Sequence, residues 1–266
     1  MLGAIIGDIV GVPYEFFGNP RRKDFGPLFI SRSEFSDDTI MTVAVAKALL
    51  LTPVMEEKAF KSTLVNQMQY FGRKYPDVSW GCRFGQWLES YEPKPYGSFG
   101  NGSAMRVSPI GWYFDSLAET LNVAKWSAEV THNHPEGVKG AQVVAQIIFY
   151  ARNGCSKKWI KEEIQRNYGY DLSRKCDDIR ETYQFDESCQ GTVPEAITAF
   201  IEGNSFEDIL RTAVSLGGDC DTLTDIACAM AEAAYPIPKE IKQEAIRRIP
   251  VEFIDVIDEF NAKLNR

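Results

Sequence analysis

Apolar residues recur at intervals of three and four along much of this chain, and no series of segments alternates apolar with polar as half-buried strands do. Val138, Ala141, Ala145 and Ile148 keep the helical spacing, as do Phe253, Ile257, Phe260 and Leu264. A stripe of that period forms one continuous face only in a helix, so the pattern predicts an all-α protein. Further helices are expected around residues 39–51, 58–72, 116–130, 156–166, 193–203, 222–235 and 238–248. Ser205 and Asp208 read as a capping pair ahead of Phe206, Ile209, Leu210 and Val214, and Gly217-Gly218 ends that helix. Gly3, Gly7 and Gly11 share one helix face, where the absence of side chains suits close packing against a second helix.

The irregular segments are few and long. Residues 11–35 and 92–103 are rich in proline and glycine and are expected to be loops, which in a helical protein often shape a binding site. The polar stretch 168–192 reads as a loop or surface insertion. No composition shift or Ser/Gly linker divides the chain, and 44% hydrophobic residues supply a core for one domain over residues 1–266. A monomer is expected.

Charge and cysteine usage exclude several function classes. A net charge of -8 gives no electrostatic reason for non-specific binding to nucleic acid or to an anionic membrane. The apolar run from Met1 to Val10 lacks a basic n-region and is interrupted by Asp8, so neither a signal peptide nor a membrane span is expected. Six cysteines without a CxxC pair read as reduced thiols of a cytoplasmic protein. His132 and His134 are the only histidines, which removes a multi-histidine zinc site and weakens a Ser-His-Asp triad.

What chemistry remains rests on oxygen ligands. Ser36-Asp37-Asp38-Thr39 and Asp219-Cys220-Asp221-Thr222 combine carboxylates with hydroxyls, the donor set suited to magnesium, manganese or calcium. Either cluster alone can be a helix N-cap. Two such clusters are richer in acid than capping needs, and four grouped carboxylates repel one another unless cations intervene. A pair of metals held there could activate a water and orient substrate oxygens. The segment Ser98-Phe99-Gly100-Asn101-Gly102-Ser103-Ala104-Met105-Arg106 is a turn whose glycines would also let backbone amides approach a phosphate. Phe99 can be packing or a stacking surface. His132 can be a satisfied structural histidine or a substrate contact. Glu15, at the start of a long loop, carries a carboxyl group that could reach a site.

Together, Gly7-Asp8-Ile-Val-Gly11 with Glu15, Ser36 to Thr39, Gly100 to Arg106, Thr131-His132 and Gly217 to Thr222 resemble the ADP-ribosylglycohydrolase family, in family order from residue 3 to about 235. The resemblance implies a compact all-α fold with a binuclear centre of two Mg2+ or Mn2+. It also implies hydrolysis of the glycosidic bond between ADP-ribose and a protein side chain or small acceptor. On that reading Ser36, Asp37, Asp38, Asp219, Asp221 and Thr222 are the metal ligands. Glu15, Asp37, Asp38 and Asp221 are the catalytic carboxylates. Gly81, Ser98, Gly100, Asn101 and Gly102 would cradle the diphosphate, Phe99 would lie near the adenine or its ribose, and His132 would contact ADP-ribose. Ser36 stands where the family usually has threonine and keeps the hydroxyl, and Cys220 lies between ligands. Leu223-Thr224-Asp225 and Glu232 replace residues that are more usually small. A two-metal phosphohydrolase and a non-catalytic ADP-ribose-binding or crystallin-like structural protein are the competing functions.

Overall fold

The computed structural model describes residues 1–16 and 18–264, and within them every extended regular element is a helix. The one departure is an isolated antiparallel bridge between Gly100 and Ser188. The first helix, α1 (Leu2–Gly11), is buried along its entire length, as its nearly uninterrupted apolar sequence requires. A 3-10 turn over Val12–Tyr14 follows it. The chain then runs without helix to α2 (Asp37–Leu51), α3 (Glu57–Lys74) and α4 (Cys82–Glu89). The second irregular segment leads into the short α5 (Gly102–Met105) and α6 (Ser108–Tyr113). Next come α7 (Leu117–Glu129), α8 (Pro135–Arg152), α9 (Lys157–Tyr168), α10 (Cys176–Thr182) and α11 (Cys189–Glu202). The chain closes with α12 (Phe206–Leu216), α13 (Cys220–Ala234), α14 (Lys239–Ile246) and α15 (Val251–Leu264).

The glycine stripe of α1 lies directly on α13. A β-carbon at Gly3 would stand 2.3 Å from the Cys228 carbonyl oxygen, one at Gly7 2.4 Å from that of Thr224, and one at Gly11 2.5 Å from Asp221 Cα. Any side chain there would push the two backbones apart, so the close packing expected of these glycines is what the fold requires of them. Its consequence is chemical, because the contact brings Asp8 of α1 beside the acidic start of α13.

Helix ends set the positions of the other acids. Ser36 caps α2, its Oγ accepting from the Asp38 amide at 3.3 Å. Ser205 caps α12 in the same way, accepting from the Asp208 amide at 3.1 Å. Gly217 and Gly218 then take φ of 78° and 73°, a left-handed conformation that strains other residues, and reverse the chain into α13 with Asp219 as its N-cap residue.

One expectation needs correction. The stretch 168–192 is not simply a loop or insertion: it contains α10 and the first turn of α11, capped by Ser188. α10 buries only Cys176 and Ile179 of its seven residues, so its sequence looks polar throughout. Tyr170, Leu172 and Tyr183 from the same stretch also join the core. No described helix is long and apolar enough to cross a membrane.

Candidate metal centre and substrate cleft

The two acidic motifs meet. Thr222 Oγ1 donates to Asp38 Oδ2 at 3.3 Å, which joins the start of α13 to the start of α2. Carboxylate oxygens of Asp8, Asp38 and Asp221 lie within 4.8 Å of one another, and those of Glu15, Asp219 and Asp221 form a second group of the same size. Asp221 belongs to both. Asp37 lines the neighbouring cleft and belongs to neither group.

Asp8 is the ligand candidate that the sequence pattern did not single out. It is fully buried, and it accepts from the Ser36 amide at 2.9 Å, the Ser36 hydroxyl at 2.7 Å, the Thr39 amide at 3.1 Å and the Thr39 hydroxyl. A carboxylate from α1 therefore supplements the N-cap of α2, where negative charge is favoured by the helix dipole. A lone aspartate within an apolar helix was the available signal, since an unpaired charge is rarely placed there without a partner.

Burial governs the electrostatics. It raises the pKa of Asp8 despite four hydrogen bonds, and it raises Asp38 and Asp221 well above the ordinary range, with neighbouring carboxylates adding to the effect. Asp37 is pushed up to about 8 by loss of water, then by Asp8 and Asp219. Glu15, half-buried directly after the 3-10 turn, is pushed up to about 7, by burial first and by Asp219 next. Asp38 Oδ1 is buried without a hydrogen-bond partner, as are both carboxylate oxygens of Asp225 one turn along α13. A hard divalent cation satisfies such oxygens, and the residues present therefore fit the metals that the motifs imply.

A cleft of about 510 Å³ opens over these acids. Glu15, Asp37, Asp219, Asp221 and Thr222 line it, together with Gly81, Ser98, Gly100, Asn101, Gly102 and His132. Ser36 and Asp38 lie beneath it, held against Asp8 and Thr222. Phe99 does not line the cleft; it is 49% exposed and its ring meets the His134 ring at 5.4 Å. The aromatic lining comes instead from Phe16, Trp80, Phe84, Tyr96 and Phe185. Asn101 is oriented toward the acids: its Nδ2 donates to Asp219 Oδ2 at 2.7 Å and to Thr192 Oγ1 at 3.0 Å. Its backbone amide donates to the Glu187 carbonyl at 2.7 Å, so the segment misread as an insertion pins the glycine-rich turn.

From Asn101 a line of contacts leads away from the acids. His132 packs against Gly100 and Gly102, Tyr96 meets the His132 ring at 6.0 Å, and the Arg83 guanidinium lies 4.7 Å from the centre of the Tyr96 ring. Arg83 and Arg106 are the cationic side chains of the lining. The cleft thus joins a carboxylate centre to aromatic faces and the exposed Arg83 guanidinium, a combination suited to a ligand with hydroxyls, an anionic middle and a flat ring.

Comparison with known proteins shows the family. The chain is 26% identical over 310 residues to the ADP-ribosylarginine hydrolase Tri1 of Pseudomonas putida, covering 99% of this chain and 80% of that protein. It is 25% identical to the ADP-ribosyl-[dinitrogen reductase] glycohydrolase of Rhodospirillum rubrum, over 89% of this chain and 84% of that one. The mouse ADP-ribosylhydrolase ARH3 is 27% identical, with coverage of 88% and 82%. A solved ADP-ribosylglycohydrolase-related protein complex shares the fold, with a TM-score of 0.71, 23% identity, and coverage of 99% of this chain and 96% of that one. A sequence profile of the ADP-ribosylglycohydrolase family matches residues 1–264. The chain belongs to the ADP-ribosylglycohydrolase family of enzymes.

Proposed function

We propose that this enzyme hydrolyses the glycosidic bond between ADP-ribose and an acceptor, with two hard divalent cations, Mg2+ or Mn2+, held at the start of α2 and α13. The observation that carries this reading is the pair of carboxylate groups sharing Asp221 at the floor of a cleft with cationic and aromatic lining. Ser36, Asp37, Asp38, Asp219, Asp221 and Thr222, with Asp8, would hold the metals. When bound, the cations supply positive charge that orients ribose hydroxyls and favours attack by water at the anomeric carbon.

The protein's own groups divide the remaining work. The Gly100–Gly102 turn would receive the diphosphate, and the exposed Arg83 supplies positive charge in the same cleft. Asn101 holds Asp219 in place through its amide. Glu15, beside Asp219 and Asp221 at the cleft, can take a proton from the attacking water at its carboxylate. Glu15→Gln should then slow turnover more than it weakens ADP-ribose binding.

For the acceptor, we favour a guanidinium. Phe16 and Phe185 face each other at 6.1 Å between ring centres at the cleft, where Glu187 and Glu15 add carboxylates. Aromatic faces beside acids attract a flat cation. The named activity of the Pseudomonas putida relative agrees with this choice.

The reading is tested by incubating the Mg2+-loaded protein with arginine-linked and serine-linked ADP-ribosyl peptides and with free ADP-ribose. Release of intact ADP-ribose, lost in Asp221→Asn, is expected. Cleavage of the diphosphate would establish a phosphohydrolase instead, and binding without turnover would establish a binding protein.

A further inference from the structure

Arg106 is among the largest fully buried side chains of the molecule, and its position is unusual for a guanidinium. Its recorded hydrogen bonds go to neutral oxygens: one terminal nitrogen donates to the Ser127 carbonyl and to Thr131 Oγ1, each at 2.8 Å. Its Nε is buried without a partner. Burial lowers its pKa to about 10, which still leaves it charged at neutral pH. Part of its role is structural, since a cation on the last carbonyls of α7 is favoured by the helix dipole.

The contact with Thr131 has a further consequence. Arginine has only donors, so Thr131 Oγ1 must accept from Arg106. Among the described residues His132 Nδ1, 2.7 Å away, is the one acceptor for the single hydroxyl proton of Thr131. A neutral imidazole whose Nδ1 accepts carries its proton on Nε2. His132 is buried, and burial together with the Arg106 charge holds its pKa well below the usual value, so the ring is neutral.

The Nε2 end faces the cleft. A β-carbon at Gly102 would lie 3.1 Å from it and one at Gly100 3.5 Å, so both glycines keep open the space into which this nitrogen points. Among the described residues it has no hydrogen-bond partner.

We propose that Arg106 is a positioning residue: acting through Thr131, it locks His132 in the Nε2-protonated form and presents that proton over the Gly100–Gly102 turn to an oxygen of the bound ADP-ribose. The ligand half of this inference rests on the function proposed above. The lock itself is a property of the free protein.

Proton–nitrogen NMR of the histidine rings tests it directly, because the chain has only two histidines to assign. In the wild type, His132 should show a bare Nδ1 and a protonated Nε2 across the neutral range. Arg106→Met, which removes the donor at similar length, and Thr131→Val, which removes the hydroxyl at similar shape, should each abolish the single tautomer. Both should weaken ADP-ribose binding in Mg2+ by about tenfold, the effect of losing one hydrogen bond to a charged group. Thr131→Ser should restore tautomer and affinity, which a packing role for Thr131 would not predict. Should Arg106→Met fail to fold, Thr131→Val carries the test. A wild-type His132 protonated on Nδ1, or a tautomer unchanged in Thr131→Val, would overturn the lock. A locked His132 in a wild type that does not bind ADP-ribose would overturn the ligand reading and leave the lock standing.

Discussion

Asp8 accepts the Ser36 backbone amide at 2.9 Å and the Ser36 hydroxyl at 2.7 Å, so a carboxylate on the first helix fixes the start of the second. Ser36 in turn accepts from the Asp38 amide. The orientation of the first acidic motif thus depends on a residue 28 positions earlier in the chain.

Two substitutions separate the capping and metal roles of Asp8. In Asp8→Asn the amide oxygen can replace Oδ2, and the amide nitrogen can donate to Ser36 Oγ where Oδ1 now accepts. The Ser36 and Thr39 donors stay satisfied while one charge leaves a repulsive cluster. Asp8→Asn should therefore be at least as stable as the parent without metal, yet gain less on Mg2+ addition. Asp8→Ala strands the Ser36 and Thr39 amides and should lose stability, at about 1–3 kcal/mol per stranded donor before relief of repulsion. Urea unfolding with and without Mg2+ measures both.

Asn101→Ala removes the donor to Asp219 while leaving every proposed ligand in place. Supports of this kind commonly alter metal affinity about 10- to 100-fold. A Mg2+ titration followed by thermal unfolding should show weaker binding in this variant, with little change in metal-free stability beyond the loss of the Asn101–Thr192 bond.

The acids of the centre reverse the usual response of carboxylates to pH. Asp8, Asp38, Asp219, Asp221 and Asp225 all have raised pKa values in the folded protein, with Glu15 at about 7 and Asp37 at about 8. The folded state holds more protons than the unfolded state between the ordinary carboxylate values of 3.8 to 4.5 and these raised values. Metal-free stability should therefore fall as pH rises through that window. Denaturation in a chelator across the window should give the negative slope, and saturating Mg2+ should flatten or reverse it, because cations favour the ionised carboxylates.

The cleft mouth predicts substrate preference. Arginine-linked ADP-ribose should be hydrolysed with higher kcat/KM than serine-linked ADP-ribose. Phe185→Ala should raise KM for the arginine-linked substrate about threefold to tenfold, the range expected for one partly exposed cation–π contact, while leaving the serine-linked reaction nearly unchanged. Equal loss on both substrates would assign Phe185 to the ADP-ribose side.

The all-helical class, most helix positions and the two acidic motifs were legible in the sequence because each depends on local order. A 3.6-residue period, a serine cap and a double glycine act within a few residues of where they stand. The role of Asp8 was not legible, because an aspartate in an apolar helix does not say which partner it meets until Gly3, Gly7 and Gly11 lay α1 on α13. Phe99 shows the reverse case: proximity to a glycine-rich turn suggested a stacking surface, and the folded turn directs its ring to His134. The helix at Cys176–Thr182 was hidden because two buried residues in seven give too weak a stripe. Sequence alone determined which chemistry this protein can carry, through the oxygen ligands it supplies. Tertiary structure decided which carboxylates share Asp221, which amide holds Asp219 and which nitrogen of His132 faces the cleft, because those relations arise between segments that only packing brings together.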